Sequence, residues 1–157
     1  MEYWNTYKTK IGTLIIVEKE NKISRIETVK ANSEYPKGEK VETKLIKKAY
    51  EQISEYLEGK RKKFTLPLLI KGTKFQEKVW NALLEIPYGE TRTYVEIAKQ
   101  IGNEKASRAV GGANHNNPIM IVVPCHRVIG SNKKLVGYAG GLDIKEELLK
   151  LEKGNKI

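Results

Sequence analysis

Thr93-Tyr94-Val95-Glu96-Ile97-Ala98-Lys99-Gln100-Ile101-Gly102 runs directly into Asn103-Glu104-Lys105-Ala106-Ser107-Arg108-Ala109-Val110-Gly111-Gly112-Ala113-Asn114. The first half opens on a capping box, in which the Thr93 hydroxyl and the Glu96 carboxylate satisfy free N–H groups of a first turn, and Gly102 closes the helix. A second helix is expected from about Lys105 to Asn114. Two short helices joined by a tight glycine-containing turn have the spacing of a helix-turn-helix. The second of them has an unusual composition. Each of its adjacent glycines costs about 1 kcal/mol relative to alanine in a helix interior, yet their small size lets another surface approach the backbone closely. Arg108 is the one long cationic side chain on this nearly bare stretch. Such a helix can press into a narrow groove while the arginine probes a base stack. Close packing against the protein's own core, with Arg108 as a surface charge, is the other reading, and these residues alone do not choose between them.

The flanks of this stretch complete the outline. Upstream, Thr73-Lys74-Phe75-Gln76 is another capping box, and Phe75, Val79, Trp80, Leu83 and Leu84 give its helix an apolar face that Pro87 and Gly89 end. Downstream, Ile119–Val123 reads as a buried extended segment leading into Pro124-Cys125-His126-Arg127. A last helix, capped by Asp143 with Glu146 at its third position, carries Leu148, Leu149 and Leu151. Near the N-terminus, Leu14-Ile15-Ile16-Val17 and the segment from Ile23 to Val29 are strand-like and flank a turn at Glu20-Asn21-Lys22. Residues 31–40 are polar, with Pro36 and Gly38, and read as a loop. Leu45, Ala49, Ile53 and Leu57 recur at helical spacing up to Gly59, and a connector follows around Pro67 to Lys71. The fold class is therefore α+β. A small N-terminal strand-plus-helix domain over residues 1–68 precedes a mostly helical C-terminal domain with a helix-turn-helix over residues 69–157.

Composition narrows the function classes. The chain has 157 residues and 17.9 kDa, with 39% hydrophobic and 31% charged residues, which suits a globular domain and excludes wholesale disorder. No apolar run approaches the ~20 residues of a membrane span. Met1 to Thr6 lacks the basic start and apolar stretch of a secretory signal, so a cytoplasmic location is expected. The single cysteine, Cys125, rules out an intramolecular disulfide, and one cysteine with two histidines is a poor basis for a zinc site, so no metal is expected. The net charge is +10. Between positions 97 and 142, Lys99, Lys105, Arg108, Arg127, Lys133 and Lys134 face only Glu104. A basic balance suits an anionic partner, of which nucleic acid is the commonest; a generally basic proteome explains the charge alone equally well.

Cys125 poses the chemical question. A lone cysteine after an apolar run is often just a small buried hydrophobe. Pro124, His126 and Arg127 beside it offer the other reading, since a cationic or histidine-rich setting favours the nucleophilic thiolate. In an extended strand neighbouring side chains point to opposite faces, so His126 need not touch Cys125 directly.

Pro124-Cys125-His126-Arg127-Val128 resembles the active-site signature of the O6-alkylguanine-DNA alkyltransferases (methylated-DNA–protein-cysteine methyltransferases). Gly72-Thr73-Lys74-Phe75-Gln76, Ile86-Pro87-Tyr88-Gly89-Glu90, Arg108-Ala109-Val110-Gly111-Gly112-Ala113, Asn117-Pro118 and Gly140-Gly141-Leu142 match the same family at consistent spacing. The match spans roughly residues 72–152, while the N-terminal part is similar mainly in its pattern of strands plus one helix, a domain that is ribonuclease H-like in the family. The resemblance implies irreversible, stoichiometric transfer of the alkyl group from O6-alkylguanine in a flipped-out nucleotide to Cys125, with O4-alkylthymine as a further substrate left open. It implies that His126, bridged by water to Glu152, generates the thiolate, and that Tyr94 helps rotate the nucleotide and supplies a proton to the leaving guanine. Arg108 resembles the finger that enters the duplex, with Ala109, Gly112, Ala113 and Asn114 on the same DNA-binding helix. Asn117 matches a hinge asparagine and, with Val128, Tyr138 and Ala139, belongs to the implied substrate pocket. No cofactor is implied, the partner is double-stranded DNA containing O6-alkylguanine, and a monomer is expected.

The chain departs from the family pattern in one place that bears on chemistry. Ala139 stands where a serine is usual, which removes a hydroxyl donor to O6 and leaves the backbone N–H. Asn114 and His115 lie where relatives vary, and phosphate contact or a bystander role stays open for His115. Two other classes compete with the leading reading. A DNA-binding protein without chemistry would have replaced the cysteine that is present here, and a Cys–His hydrolase gives no reason for the Arg-Ala-Val-Gly-Gly helix.

Overall fold

The computed structural model describes residues 1–131 and 141–154. Three strands, β1 (Glu2–Thr9), β2 (Gly12–Lys19) and β3 (Lys22–Thr28), form an antiparallel meander, and the two-residue β4 (Glu39–Lys40) adds in parallel beside β1 to give the order β3-β2-β1-β4. The β2–β3 turn is fixed by Glu20 and Asn21, both at positive φ (54° and 62°), the combination that a tight hairpin turn needs to match strand twist. β2 is the centre of the sheet, and its Leu14-Ile15-Ile16-Val17 run is buried on both faces. Helix α1 (Lys44–Leu57) covers one face through Ile46, Ala49, Ile53 and Tyr56, and Gly59, at φ 78°, terminates it as expected. β1 was not anticipated: Glu2–Thr9 contains few aliphatic residues, and its half-buried aromatics carry the strand instead.

The exposed edge of such a sheet invites pairing with other chains, and here the chain covers it itself. The connector bonds to β3 through Ile23 N–H to Pro67 O (2.8 Å) and Leu69 N–H to Ile23 O (2.8 Å). One step along, Ile26 N–H donates to Pro118 O (2.9 Å) and Met120 N–H to Ile26 O (3.0 Å). The segment that leads to Cys125 is thus mounted on the rim of the N-terminal sheet.

The helical part comprises α2 (Lys74–Leu83), α3 (Tyr94–Gln100), α4 (Ser107–His115) and α5 (Leu142–Glu152), with a parallel pair β5 (Arg92–Thr93) and β6 (Val128–Ile129). Both capping boxes form: Thr73 with Gln76, and Thr93 with Glu96. Gly102 sits at φ 80° in the turn between α3 and α4. Trp80 Nε1 donates to Ala113 O at 2.8 Å and seats α4 on α2.

Two local expectations are corrected. The N-cap of α5 is Gly141, at φ 104° and with no side-chain cap bond, while Asp143 lies inside the first turn, where its charge complements the helix dipole. The run Ile119–Val123 is buried but not an extended strand. It folds into compact turns, with Val122 N–H to Met120 O and Cys125 N–H to Val123 O both at 2.8 Å. Pro124, at φ −80° and ψ 64°, is the centre of an inverse γ-turn. Ile121 lies at φ 72°, a strained conformation for a β-branched residue. Asn117 holds this folded run in shape. Its amide donates to Val123 O (2.8 Å) and Ile119 O (3.3 Å) and its carbonyl accepts from Ile119 N–H (3.0 Å). Asn117→Ala strands buried backbone groups and is expected to cost at least about 2 kcal/mol in urea unfolding; a loss below about 0.5 kcal/mol contradicts this role.

Candidate active site

Cys125, His126 and Arg127 form one 3-10 turn, all three buried. This turn replaces the strand geometry expected there, so consecutive side chains fan out around the turn rather than alternating across a sheet. The turn faces α5, whose Lys145, Leu148 and Glu152 share a buried face at helical spacing.

Glu152 is the hub. Its side chain is 1% exposed, and burial alone pushes a carboxyl pKa up. Hydrogen bonds from His126, Arg127 and Tyr56 outweigh that and hold it well below the usual range, so it is an anion. Oε1 accepts from Arg127 Nε (2.8 Å) and Gly89 N–H (3.0 Å). Oε2 accepts from Arg127 Nη2 (3.0 Å), Tyr56 Oη (2.5 Å) and His126 Nε2 (2.6 Å). The His126–Glu152 contact is direct, which corrects the expectation of a bridging water. An anionic acceptor at Nε2 assigns the proton to that nitrogen and leaves Nδ1 as the basic lone pair of the neutral ring. Burial lowers the His126 pKa and the Glu152 contact opposes that shift, so the ring is neutral and able to take a proton at neutral pH.

Arg127 is fully engaged: besides gripping Glu152 it donates to Ile86 O at 2.7 Å and lies 5.7 Å over the Tyr88 ring. It therefore does not belong to the basic surface excess in which the sequence alone placed it. Lys145 is wholly buried and donates to Val128 O at 2.6 Å. Burial lowers its pKa to about 8, while a thiolate charge at Cys125 pulls the other way. Sequence reasoning missed Tyr56, Arg127 as a Glu152 partner, and Lys145. The one available signal for Lys145 was its position three residues before Leu148 and seven before Glu152 on the same helix face.

The remaining expected site residues fall into two groups. Arg108, Ala109 and Gly112 lie exposed on the outer face of α4, as does His115. A Cβ at Gly112 would meet nothing within 4 Å, so the protein's own packing does not require glycine there. Ala113 and Asn114, also expected on the DNA-binding helix, face inward: Asn114 is wholly buried and its amide donates to Cys125 O at 3.2 Å. Tyr94, half-buried at the start of α3, has its hydroxyl pKa raised by burial, with the Asn114 amide opposing and a Cys125 charge adding to the rise. Val128 is buried beside Lys145, and Asn117 is committed to the backbone bonds described above. Tyr138 and Ala139 lie outside the described residues. No helix among the described residues is long and apolar enough to cross a membrane.

Comparisons with known proteins give the chain its relatives. The family described as "6-O-methylguanine DNA methyltransferase, DNA binding domain" matches residues 74–154, and its "ribonuclease-like domain" matches residues 2–70. A methylated-DNA–protein-cysteine methyltransferase of Methanosarcina acetivorans is 51% identical over 96% of this chain and 97% of its own length. A constitutive one of Bacillus subtilis is 48% identical over 98% of this chain and 96% of its own. The crystal structure of Mycobacterium tuberculosis OGT in complex with DNA superposes with a TM-score of 0.90, at 42% identity, over 98% of this chain and 94% of that one.

The acidic limb of stability follows from the same groups. A histidine held neutral in the fold but free to protonate when unfolded drains stability as pH falls below its ordinary value of 6.5. Glu152, held low, adds a second loss below its ordinary 4.5. The melting temperature is expected to rise as pH passes about 8 upward, where Lys145 loses its proton in the fold alone, to level near pH 7 and to fall from about 6.5 downward. His126→Gln should remove the upper acidic step and retain the lower; an unchanged profile in that variant contradicts the assignment.

Proposed function

The chain belongs to the 6-O-methylguanine DNA methyltransferase family, and from that premise we propose that it repairs DNA by moving the alkyl group of O6-alkylguanine directly and irreversibly onto Cys125. The observation that carries this reading is the turn that joins Cys125 to His126, with His126 backed by an ionised, buried Glu152. His126 takes the thiol proton at Nδ1 while Glu152 stabilises the imidazolium that forms. The thiolate sulfur displaces at the alkyl carbon: the S–C bond forms, the C–O6 bond breaks, and the guanine leaves with the electron pair. Tyr94, beside the thiol, is suited to give the leaving base a proton and to recover one afterwards. A thioether has no route back to a thiol by this chemistry, so each molecule acts once.

The burial of Cys125 dictates how substrate arrives. A wholly buried thiol cannot reach a base inside a duplex, so the nucleotide must be swung out of the stack and into the protein. The α3–turn–α4 arrangement serves as the helix-turn-helix that docks on the duplex. The bare outer face of α4, open at Gly112, supports its close approach to DNA, and Arg108 projects from that face as the side chain that takes the place of the displaced nucleotide. Asn114, Asn117 and Val128 support the reacting turn from behind rather than touching DNA. The protein acts as a monomer on double-stranded DNA carrying the lesion.

Two variants separate chemistry from recognition. Cys125→Ser should bind an O6-methylguanine duplex with near-parental affinity and gain no methyl group by intact-protein mass spectrometry, whereas the parent gains a single methyl mapped to Cys125. Transfer to the serine variant at the parental rate overturns the nucleophile assignment. Arg108→Ala should slow repair in duplex DNA by at least about tenfold and leave reaction with free O6-benzylguanine within about twofold. Equal losses on both substrates would rule out the finger role.

A further inference from the structure

Tyr56 is the side chain of the N-terminal helix α1 that reaches the reacting turn. It is wholly buried, and its hydroxyl lies 2.5 Å from Glu152 Oε2 and 3.3 Å from His126 Nε2. Its ring sits among Phe64 (centroids 5.6 Å apart) and Tyr88 (6.1 Å). Nothing in the sequence marks it: it falls on the buried face of an amphipathic helix, where an aromatic normally only fills space.

We propose that Tyr56 is a positioning residue of the alkyl-acceptor site, holding the Glu152 carboxylate in line with His126 so that the ribonuclease-like N-terminal part of the chain belongs to the chemical apparatus. This rests on the functional reading above only in the identity of the alkyl donor.

The geometry gives Tyr56 a specific task. Arg127 already grips Glu152 through Nε and Nη2, a paired arrangement that fixes the plane of the carboxylate and leaves Oε2 2.6 Å from His126 Nε2. Tyr56 approaches Oε2 from the opposite domain and donates to it, keeping the oxygen where His126 Nε2–H also reaches it. The hydroxyl oxygen adds a second acceptor edge near that N–H. Both effects favour the imidazolium, against burial and the cationic charges of Arg127 and Lys145, which disfavour it. Burial, and then the Glu152 anion, keep the Tyr56 phenol itself protonated well above its ordinary range, so it remains a donor at every pH at which the thiol reacts.

The test is Tyr56→Phe in the full chain, read by the pH dependence of Cys125 alkylation with iodoacetamide and, separately, with free O6-benzylguanine. Loss of the hydroxyl is expected to move the midpoint of both profiles upward by at least about half a pH unit and to slow reaction at pH 7 roughly three- to tenfold. Duplex binding should stay within about twofold. Phe64→Leu, which loosens the same packing and keeps the hydroxyl, should lower the melting temperature and leave the midpoint in place. An unmoved midpoint in Tyr56→Phe, or an equal shift in Phe64→Leu, overturns the proposal. Should Tyr56→Phe not fold, 15N-resolved spectra of His126 in the unaltered protein decide the matter: the proposal requires neutral His126 to carry its proton on Nε2, and the Nδ1–H tautomer refutes it. Iodoacetamide does not depend on O6-alkylguanine being the substrate. A protein inert to O6-benzylguanine would therefore count against the functional reading while the iodoacetamide profile still judged Tyr56.

Discussion

Removing a carboxylate from water costs several kcal/mol unless other donors replace the lost hydration. Glu152 is the point at which this chain accepts that cost. Five hydrogen bonds converge on its two oxygens, from α1, from the loop at Gly89 and from the 3-10 turn, while Glu152 itself comes from α5. An arrangement of this kind is all or none, because a charge left with half its partners is worse placed than an apolar side chain. The carboxylate therefore acts as a clamp. It fixes the turn that carries Cys125, closes α5 onto the rest of the helical part, and reaches the N-terminal helix through a tyrosine.

The second anchor is backbone rather than side chain. β3 offers its outer edge to two separate pieces of the chain, the connector at Pro67–Leu69 and the approach segment at Pro118–Met120. Edge protection and site construction are thus one device: the hydrogen bonds that keep the sheet from pairing with other molecules also set the base of the turns leading to the cysteine. A strained Ile121 (φ 72°) persists because Asn117 and the sheet edge hold it on both sides.

Much of this was legible in the sequence, and the failures have physical causes. Capping boxes, the hairpin turn and the terminating glycines were readable because each is a local bargain between a side chain and its own backbone. Ile119–Val123 misled because five apolar residues in a row look the same whether extended or folded; the difference lies in Asn117, Pro118 and Pro124, whose effect depends on partners far along the chain. The Asp143 cap failed because a glycine at positive φ can start a helix without a side-chain bond. Cys125 and His126 were found by motif, but the direct His126–Glu152 bond was not, and neither Tyr56 nor Lys145 drew notice. Both sit on helix faces where periodicity predicts burial and says nothing about what a polar tip will meet. Arg127 was counted as surface charge because its partner lies 25 residues away on another element.

The α4 helix joins an exposed face to the backbone of the reacting turn. Its outer face, Arg108, Ala109 and Gly112, is open, while its inner face supplies Asn114 to the carbonyl of Cys125 and the Ala113 carbonyl to Trp80. The Asn114 amide also lies against the Tyr94 hydroxyl at the head of α3. A load applied to the outer face therefore bears directly on the backbone of the reacting residue, because a single short helix separates the two. Close packing transmits such loads rather than absorbing them. The adjacent glycines are not demanded by the fold. At Gly112 a Cβ would meet nothing within 4 Å, and at Gly111 it would stand in ordinary contact, 3.9 Å, with the Tyr94 ring. A helix that gives up stability in its own interior without a packing reason points outward for its explanation, to whatever lies against its exposed face.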